Sequence, residues 1–277
     1  NNESLYPTYH VFMHDVVGIQ YYGNKFRNDT PNEYTYWKQG WGIYSVDAQY
    51  FVNAACNNNT IPCTNIEPNE FSSLYFGIRA LSGNGLKTLK VDQSEFTNNY
   101  FGIYLGGPDF ATITRNKFEV YRSAAPNQTF NTYGLYLNGC SAYTVEENTY
   151  SEFNDPFVST NGNSYGIIVN NSGPSNNTIY RNDFFNLKVG GQSQNINSVF
   201  YNPGDENPNN VGLQWKCNNF IKDIYEADLA VTSGRIAFQQ GYCVSPVTQP
   251  LNAIKSPAGN RFSHSTFDPQ NDFAANN

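Results

Sequence analysis

Two short arrangements of apolar and polar positions recur along the chain. In the first, a Gly is followed by Ile or Leu and usually preceded by an aromatic residue. It occurs at Trp41-Gly42-Ile43, Phe76-Gly77-Ile78, Phe101-Gly102-Ile103, Tyr133-Gly134-Leu135 and Tyr165-Gly166-Ile167, with weaker copies at Val17-Gly18-Ile19 and Val211-Gly212-Leu213. In the second, an aliphatic residue is followed three positions on by Asn or another polar residue, and two further by an aromatic. It occurs at Ile113-Asn116-Phe118, Val145-Asn148-Tyr150 and Ile179-Asn182-Phe184, with variants at Val46-Gln49-Phe51, Val91-Ser94-Phe96, Trp215-Asn218-Phe220 and Asn24-Lys25-Phe26. Copies lie 22 to 45 residues apart and no helical periodicity fills the gaps. Short strands separated by turns, with loops of variable length between repeats, predict stacked coils of parallel strands.

In such a coil, equivalent residues stack at about 4.8 Å. One buried aliphatic column is expected at Ile43, Ile78, Ile103, Leu135, Ile167 and Leu213, and an aromatic column at Phe51, Phe96, Phe118, Tyr150, Phe184 and Phe220. The polar residue before each aromatic is expected at a corner, where Asn tolerates left-handed backbone and its side chain can hydrogen-bond from coil to coil. The recurring Gly is given the same corner role. Strand alternation then points one row outward: Tyr44, Arg79, Tyr104, Tyr136, Ile168 and Gln214.

The stretches 27–41, 52–76, 119–133, 151–165 and 185–211 are the variable ones, so long loops are expected at one corner of the solenoid. The division that follows is an N-terminal extension over 1–10, the parallel β-helix over 11–242, and an irregular C-terminal segment or linker to a further domain over 243–277.

Composition fits this picture. Of 277 residues, 41 are Asn, 21 Tyr and 20 Phe, while charged residues make up 14%. Asn, Gly, Tyr, Thr and Ser are poor or middling helix formers but suit turns and short strands. A net charge of −7 leaves no cationic footprint for nucleic acid. No apolar run approaches membrane-spanning length.

Five Cys occur, at 56, 63, 140, 217 and 243. Cys56 and Cys63 flank a short loop inside one insertion, and a disulfide between them is expected in an oxidising compartment. Cys217 and Cys243 are placed to pair, and Cys140 reads as a buried thiol.

Candidate chemistry is sparse. Glycoside hydrolysis needs two carboxylates close together, and a lyase needs a base beside a group that stabilises the substrate carboxylate. Asp47, Asp92 and Asp109 are the acidic candidates, with Asp47 and Asp92 in one outward row that Glu146 rejoins after interruption. Lys90, Arg115 and Arg181 are the basic ones. His10, His14 and His264 lie near the termini. No metal-ligand or cofactor motif is present.

The repeat resembles right-handed parallel β-helix proteins over about residues 11–240, giving an expected all-β solenoid of roughly seven to nine coils. The stretches GLQWKCNNFIKDI, SGRIAFQQG and SPAGNRFS are similar to β-helical segments of large bacterial surface proteins exported by type IX secretion. That resemblance implies an extracellular or cell-surface location and flanking domains in a longer precursor. The expected function is a non-catalytic stalk, adhesin or glycan-contacting module. Its partner would be carbohydrate or another surface protein, met through Tyr44, Arg79, Tyr104 and Tyr136, with no cofactor. A polysaccharide lyase or related enzyme, and a purely structural spacer, are the alternatives.

Overall fold

The structure is a computed structural model. It describes residues 8–29, 38–58, 62–83, 87–121, 130–153, 163–200, 211–222, 224, 226–238, 240, 242–243, 255–256, 258–263 and 273–275. His264 lies outside these residues, as do 1–7 and most of 243–277.

The chain winds through three parallel sheets in turn. The first sheet has nine strands: Tyr9–His14, Trp41–Val46, Phe76–Leu81, Phe101–Gly106, Asn131–Asn138, Asn163–Asn170, Val189–Gln194, Ala227–Val231 and Phe273–Ala275. The second and third sheets have seven strands each. They begin with Val17–Tyr22 and Lys25–Arg27 and end with Leu213–Lys216 and Asn219–Lys222. All pairings inside these sheets are parallel, which makes the fold a parallel β-helix. Beyond the coils, Phe273–Ala275 extends the first sheet, while Tyr242–Cys243 and Lys255–Ser256 form a separate small antiparallel pair.

Ile43, Ile78, Ile103, Leu135 and Ile167 stack in register and are fully buried, as the repeat predicts. The next rung is Gly191, not Leu213. Leu213 belongs to the second sheet, opposite Asn177. Gly191 is required there because the Trp215 indole fills the space: a Cβ on Gly191 would lie 2.5 Å from the ring. Gly190, not Gly212, is therefore the sixth copy of the glycine, and Gly18 lies in a second-sheet strand.

The aromatic column runs Phe26, Phe71, Phe96, Phe118, Tyr150, Phe184 and Phe220. Adjacent rings are near-parallel with centroids 4.7 to 5.1 Å apart. Phe51 is not a member, because it sits in the second-sheet strand Gln49–Asn53. An insertion over 54–68 separates Val52 from Asn69 and Phe71, so the fixed spacing that marks the other coils is broken there. The Ala55–Cys56 and Ile66–Glu67 pair and a disulfide between Cys56 and Cys63 lie in that insertion.

This column also explains the repeated glycine, which is not a corner residue. Gly42, Gly77, Gly102, Gly134, Gly166 and Gly190 lie inside strands and lack positive φ. A Cβ on any of them would come within 2.7 to 2.9 Å of an aromatic-column ring and 2.5 to 2.8 Å of a carbonyl in the next coil. Close approach, rather than backbone freedom, demands glycine.

The corner before the third sheet divides its work between two residues. Left-handed backbone falls on Gln93, Arg115, Glu147, Arg181 and Cys217, at φ 53 to 58°. The residue that follows, Ser94 in the first case and Asn in the others, is the hydrogen-bonding one instead. Asn116 N and Nδ2 donate to Asn148 Oδ1 at 2.9 and 3.0 Å, Asn148 donates likewise to Asn182, Asn182 to Asn218, and Asn218 to Asn260. Each ladder Asn also donates to a backbone carbonyl, as Asn148 does to Ile113 O. The ladder satisfies buried amides that a corner would otherwise leave unpaired.

Loops leave at more than one corner. Those over 28–40, 121–130 and 153–162 join the third sheet to the first. The insertion over 54–68 lies between the second and third sheets, and 195–212 lies between the first and second. The single-corner expectation fails because Phe51 and Leu213 both lie in the second sheet, outside the columns the repeat predicts.

Candidate functional site

The outer face of the first sheet differs chemically from the other two. Its six consecutive strands from Trp41–Val46 to Val189–Gln194 carry a single charged residue, Arg79. The third sheet instead shows charge pairs on its outer surface, including Lys25–Glu70 at 3.1 Å and Lys117–Glu119 at 2.7 Å.

Two aromatic rows run along the first sheet. Tyr9, Trp41, Phe76, Phe101, Tyr133 and Tyr165 form one. Phe12, Tyr44, Arg79, Tyr104, Tyr136 and Ile168 form the other, continued by Gln192. The structure therefore places Tyr44, Arg79, Tyr104 and Tyr136 on consecutive rungs, all half-buried. Gln214 lies instead in the second sheet, opposite Thr178. The first row is hidden in the sequence because the residue before each repeated Gly reads as part of the glycine pattern. The close-approach glycine lets that residue and the one three positions on face outward together.

Most ring faces in these rows are already occupied. Phe76 and Phe101 stack at 4.7 Å, Phe101 and Tyr133 at 4.8 Å, and Tyr104 and Tyr136 at 5.5 Å. An open stacking platform is therefore not what the row provides. Trp41, Phe76 and Ile168 are buried, while Tyr44, Tyr104 and Tyr136 remain half-buried at the surface. Along the same strands an amide row continues from Tyr104: Asn138 Nδ2 donates to its hydroxyl at 3.1 Å, Asn170 donates to Asn138, and Asn195 donates to Asn170.

Arg79 stands in the ladder where a ring would otherwise be. Its guanidinium carbon is 4.8 Å from the Trp41 ring centroid, 5.3 Å from Phe76, 5.4 Å from Tyr44 and 5.9 Å from Tyr104. Cation–π attraction holds it there. Its Nε is buried with no hydrogen-bond partner, and no carboxylate pairs with it among the described residues.

The acidic candidates are dispersed, but Asp92 meets two of the basic ones, Lys90 and Arg115. Asp47 Oδ1 accepts hydrogen bonds from Ser82 Oγ and Gly83 N, and Asp109 Oδ1 accepts from Ser141 N and Oγ, so both cap corners. Asp47 is a left-handed corner residue and does not share a row with Asp92. The row containing Asp92 runs Asp92, Thr114, Glu146, Tyr180 and Lys216. Asp92 is buried and bound by Arg115, Thr114 and Lys90. Burial pushes its pKa up, but the Arg115 and Thr114 hydrogen bonds and the two cations outweigh that and hold it below the usual value. A carboxylate so engaged is a structural ion-pair member, not a poised base. Arg181 meets Glu147 at 3.8 Å on the exposed surface. Glu70 and Glu95, which the sequence patterns did not single out, are register neighbours on the third sheet.

A cavity of about 240 Å³ lined by Ser198, Val199, Phe200, Val211, Arg235, Ile236 and Phe238 contains no carboxylate or histidine. Among the described residues no three His, Cys, Asp or Glu side chains gather as a metal site.

The disulfide joins Cys56 and Cys63 as expected. Cys140 is a buried thiol whose pKa burial pushes up to about 12. Cys217 is free and exposed, so it is not paired with Cys243. A disulfide suits an oxidising compartment, and among the described residues no helix is long and apolar enough to cross a membrane. No protein-family model matches the chain, no curated protein matches it, and no solved structure matches it.

Proposed function

We propose that this protein is a non-catalytic extracellular β-helix module that contacts glycans through the outer face of its first sheet. The carrying observation is the contrast between faces: two aromatic rows flanked by an amide row, with one charge across six strands. Rigid aromatic edges beside hydroxyls and primary amides suit sugar hydroxyls and C–H groups. A row repeating at the coil spacing complements a linear polymer better than a compact ligand. A right-handed coil and membership of the type IX-secreted surface proteins complete this reading, and both rest on the sequence resemblance.

The test is affinity electrophoresis of the full chain against neutral and acidic soluble polysaccharides, with Tyr104→Ala/Tyr136→Ala as the comparison. Retardation by at least one polymer that the double variant loses supports the reading. Equal retardation of both proteins would move the contact off this face, and none by any polymer would leave the module a spacer. The self-stacked ring faces are what favour that second reading. The lyase alternative draws on Glu70 and Glu95 as neighbouring carboxylates. It requires polymer turnover that Glu95→Gln abolishes.

A further inference from the structure

We propose that Arg79 is an anion receptor and that the glycan the first sheet takes is acidic, its carboxylate or sulfate held by the Arg79 guanidinium. This deepens, and rests on, the reading of the first sheet as the glycan-contacting face.

The cation has no counter-charge of its own. Other cations on the sheets do have an opposite charge within 4 Å, as at Lys25–Glu70, Lys90–Asp92, Arg115–Asp92 and Lys188–Glu226. Arg79 has four rings around it and no carboxylate among the described residues. The molecule carries 23 Asp and Glu against 16 Lys and Arg, so acidic partners are not scarce in the sequence. The strands beside Arg79 simply lack them. Its buried Nε is unpartnered, the side chain as a whole is only half-buried, and its terminal amino groups take no hydrogen bond among the described residues.

The surroundings strengthen the site in two ways. Rings on several sides reduce water around the guanidinium, so a charge-assisted hydrogen bond there is less screened than on an open surface. They also fix the guanidinium plane, so little side-chain entropy remains to be lost on binding. A planar fork held with its terminal donors free matches a planar carboxylate or two oxygens of a sulfate.

An acidic saccharide fits this surface better than an acidic peptide. The Tyr104 hydroxyl and the Asn138, Asn170 and Asn195 amides continue along the axis from the Arg79 rung, offering donors and acceptors at each coil. A polyhydroxylated chain can use such groups repeatedly. An extended peptide would add to a sheet edge or need side-chain pockets.

The test compares polygalacturonate with its fully methyl-esterified form, which share a backbone and differ in charge. Dissociation constants are measured for the full chain, Arg79→Gln, Arg79→Lys and Tyr104→Ala/Tyr136→Ala, with thermal unfolding of each variant. The native chain is expected to bind the acid form at least about tenfold more tightly than the ester, with the preference shrinking as salt rises. Arg79→Gln should abolish the preference while leaving weak binding of both forms. Arg79→Lys keeps the charge and loses the fork, so it should retain only part of the preference. This variant also decides the matter if Arg79→Gln fails to fold. Equal binding of acid and ester by the native chain, or an acid preference that survives both Arg79 substitutions, overturns the anion receptor while leaving the glycan face standing. Binding of neither form, or binding of both that the Tyr104/Tyr136 double variant leaves intact, overturns the two together.

Discussion

Tyr150 is the only hydroxyl-bearing residue in the aromatic column, and its hydroxyl is buried with no hydrogen-bond partner. Burial alone drives its pKa far upward, so it stays a neutral phenol. An orphaned buried hydroxyl costs about 1–3 kcal/mol. Tyr150→Phe removes it while keeping the ring stack with Phe118 and Phe184. The variant should unfold at higher temperature or denaturant than the native chain, and a lower midpoint would contradict the packing described here. Gly134 makes the opposite case. A Cβ there meets the Tyr150 ring at 2.7 Å and the Gly166 carbonyl at 2.8 Å. Gly134→Ala should therefore cost about 3 kcal/mol or prevent folding. Gly139→Ala should cost only about 1–2 kcal/mol, because Gly139 has a left-handed φ of 65° but open space around it. Comparing the two by chemical denaturation separates close approach from backbone freedom as the reason for glycine.

At the scale of the element, the Asn ladder and the charged corner govern stability. Asn148 accepts two hydrogen bonds from Asn116 and donates to Ile113 O and Asn182 Oδ1. Asn148→Ala strands these buried partners and should destabilise by about 2–4 kcal/mol, read from the shift in denaturation midpoint. Asp92 gives a pH dependence whose sign is fixed. Its folded-state pKa lies below the ordinary 3.8. Its stabilisation is therefore complete above the unfolded value and is lost as pH falls through the folded one. Thermal unfolding between pH 6 and pH 2 should show a steeper acid loss for the native chain than for Asp92→Asn. The ladder was legible in sequence because Asn116, Asn148, Asn182 and Phe118, Tyr150, Phe184 keep one spacing from coil to coil. Phe51 mimics a column member in sequence because the disulfide-bearing insertion pushes Phe71 and Asn69 away from Val52. Leu213 does the same because Gly191 has given up its side chain to Trp215, leaving no aliphatic to mark the rung. The left-handed residues could not be picked out either. Gln, Arg, Glu and Cys hold that conformation because the coil dictates it, and their types carry no signal.

For the whole molecule, the three sheets share one core but present different surfaces. The third carries paired charges, the second a mixed row, and the first aromatic edges with a single cation. The outward row of the candidate site was readable because Ile43 and its equivalents fix the alternation. The packing of its rings against one another, and the placement of Arg79 among four of them, depend on distances that no spacing encodes. The central claim is that the first sheet is the face that meets the ligand. Hydroxyl-radical footprinting of the full chain, with and without saturating polygalacturonate, tests it most directly. The account predicts that Tyr44, Tyr104 and Tyr136 are protected while Phe51 and Tyr180 on the second sheet are not. Protection centred on the second or third sheet, or none at a concentration where binding is measured, would contradict it.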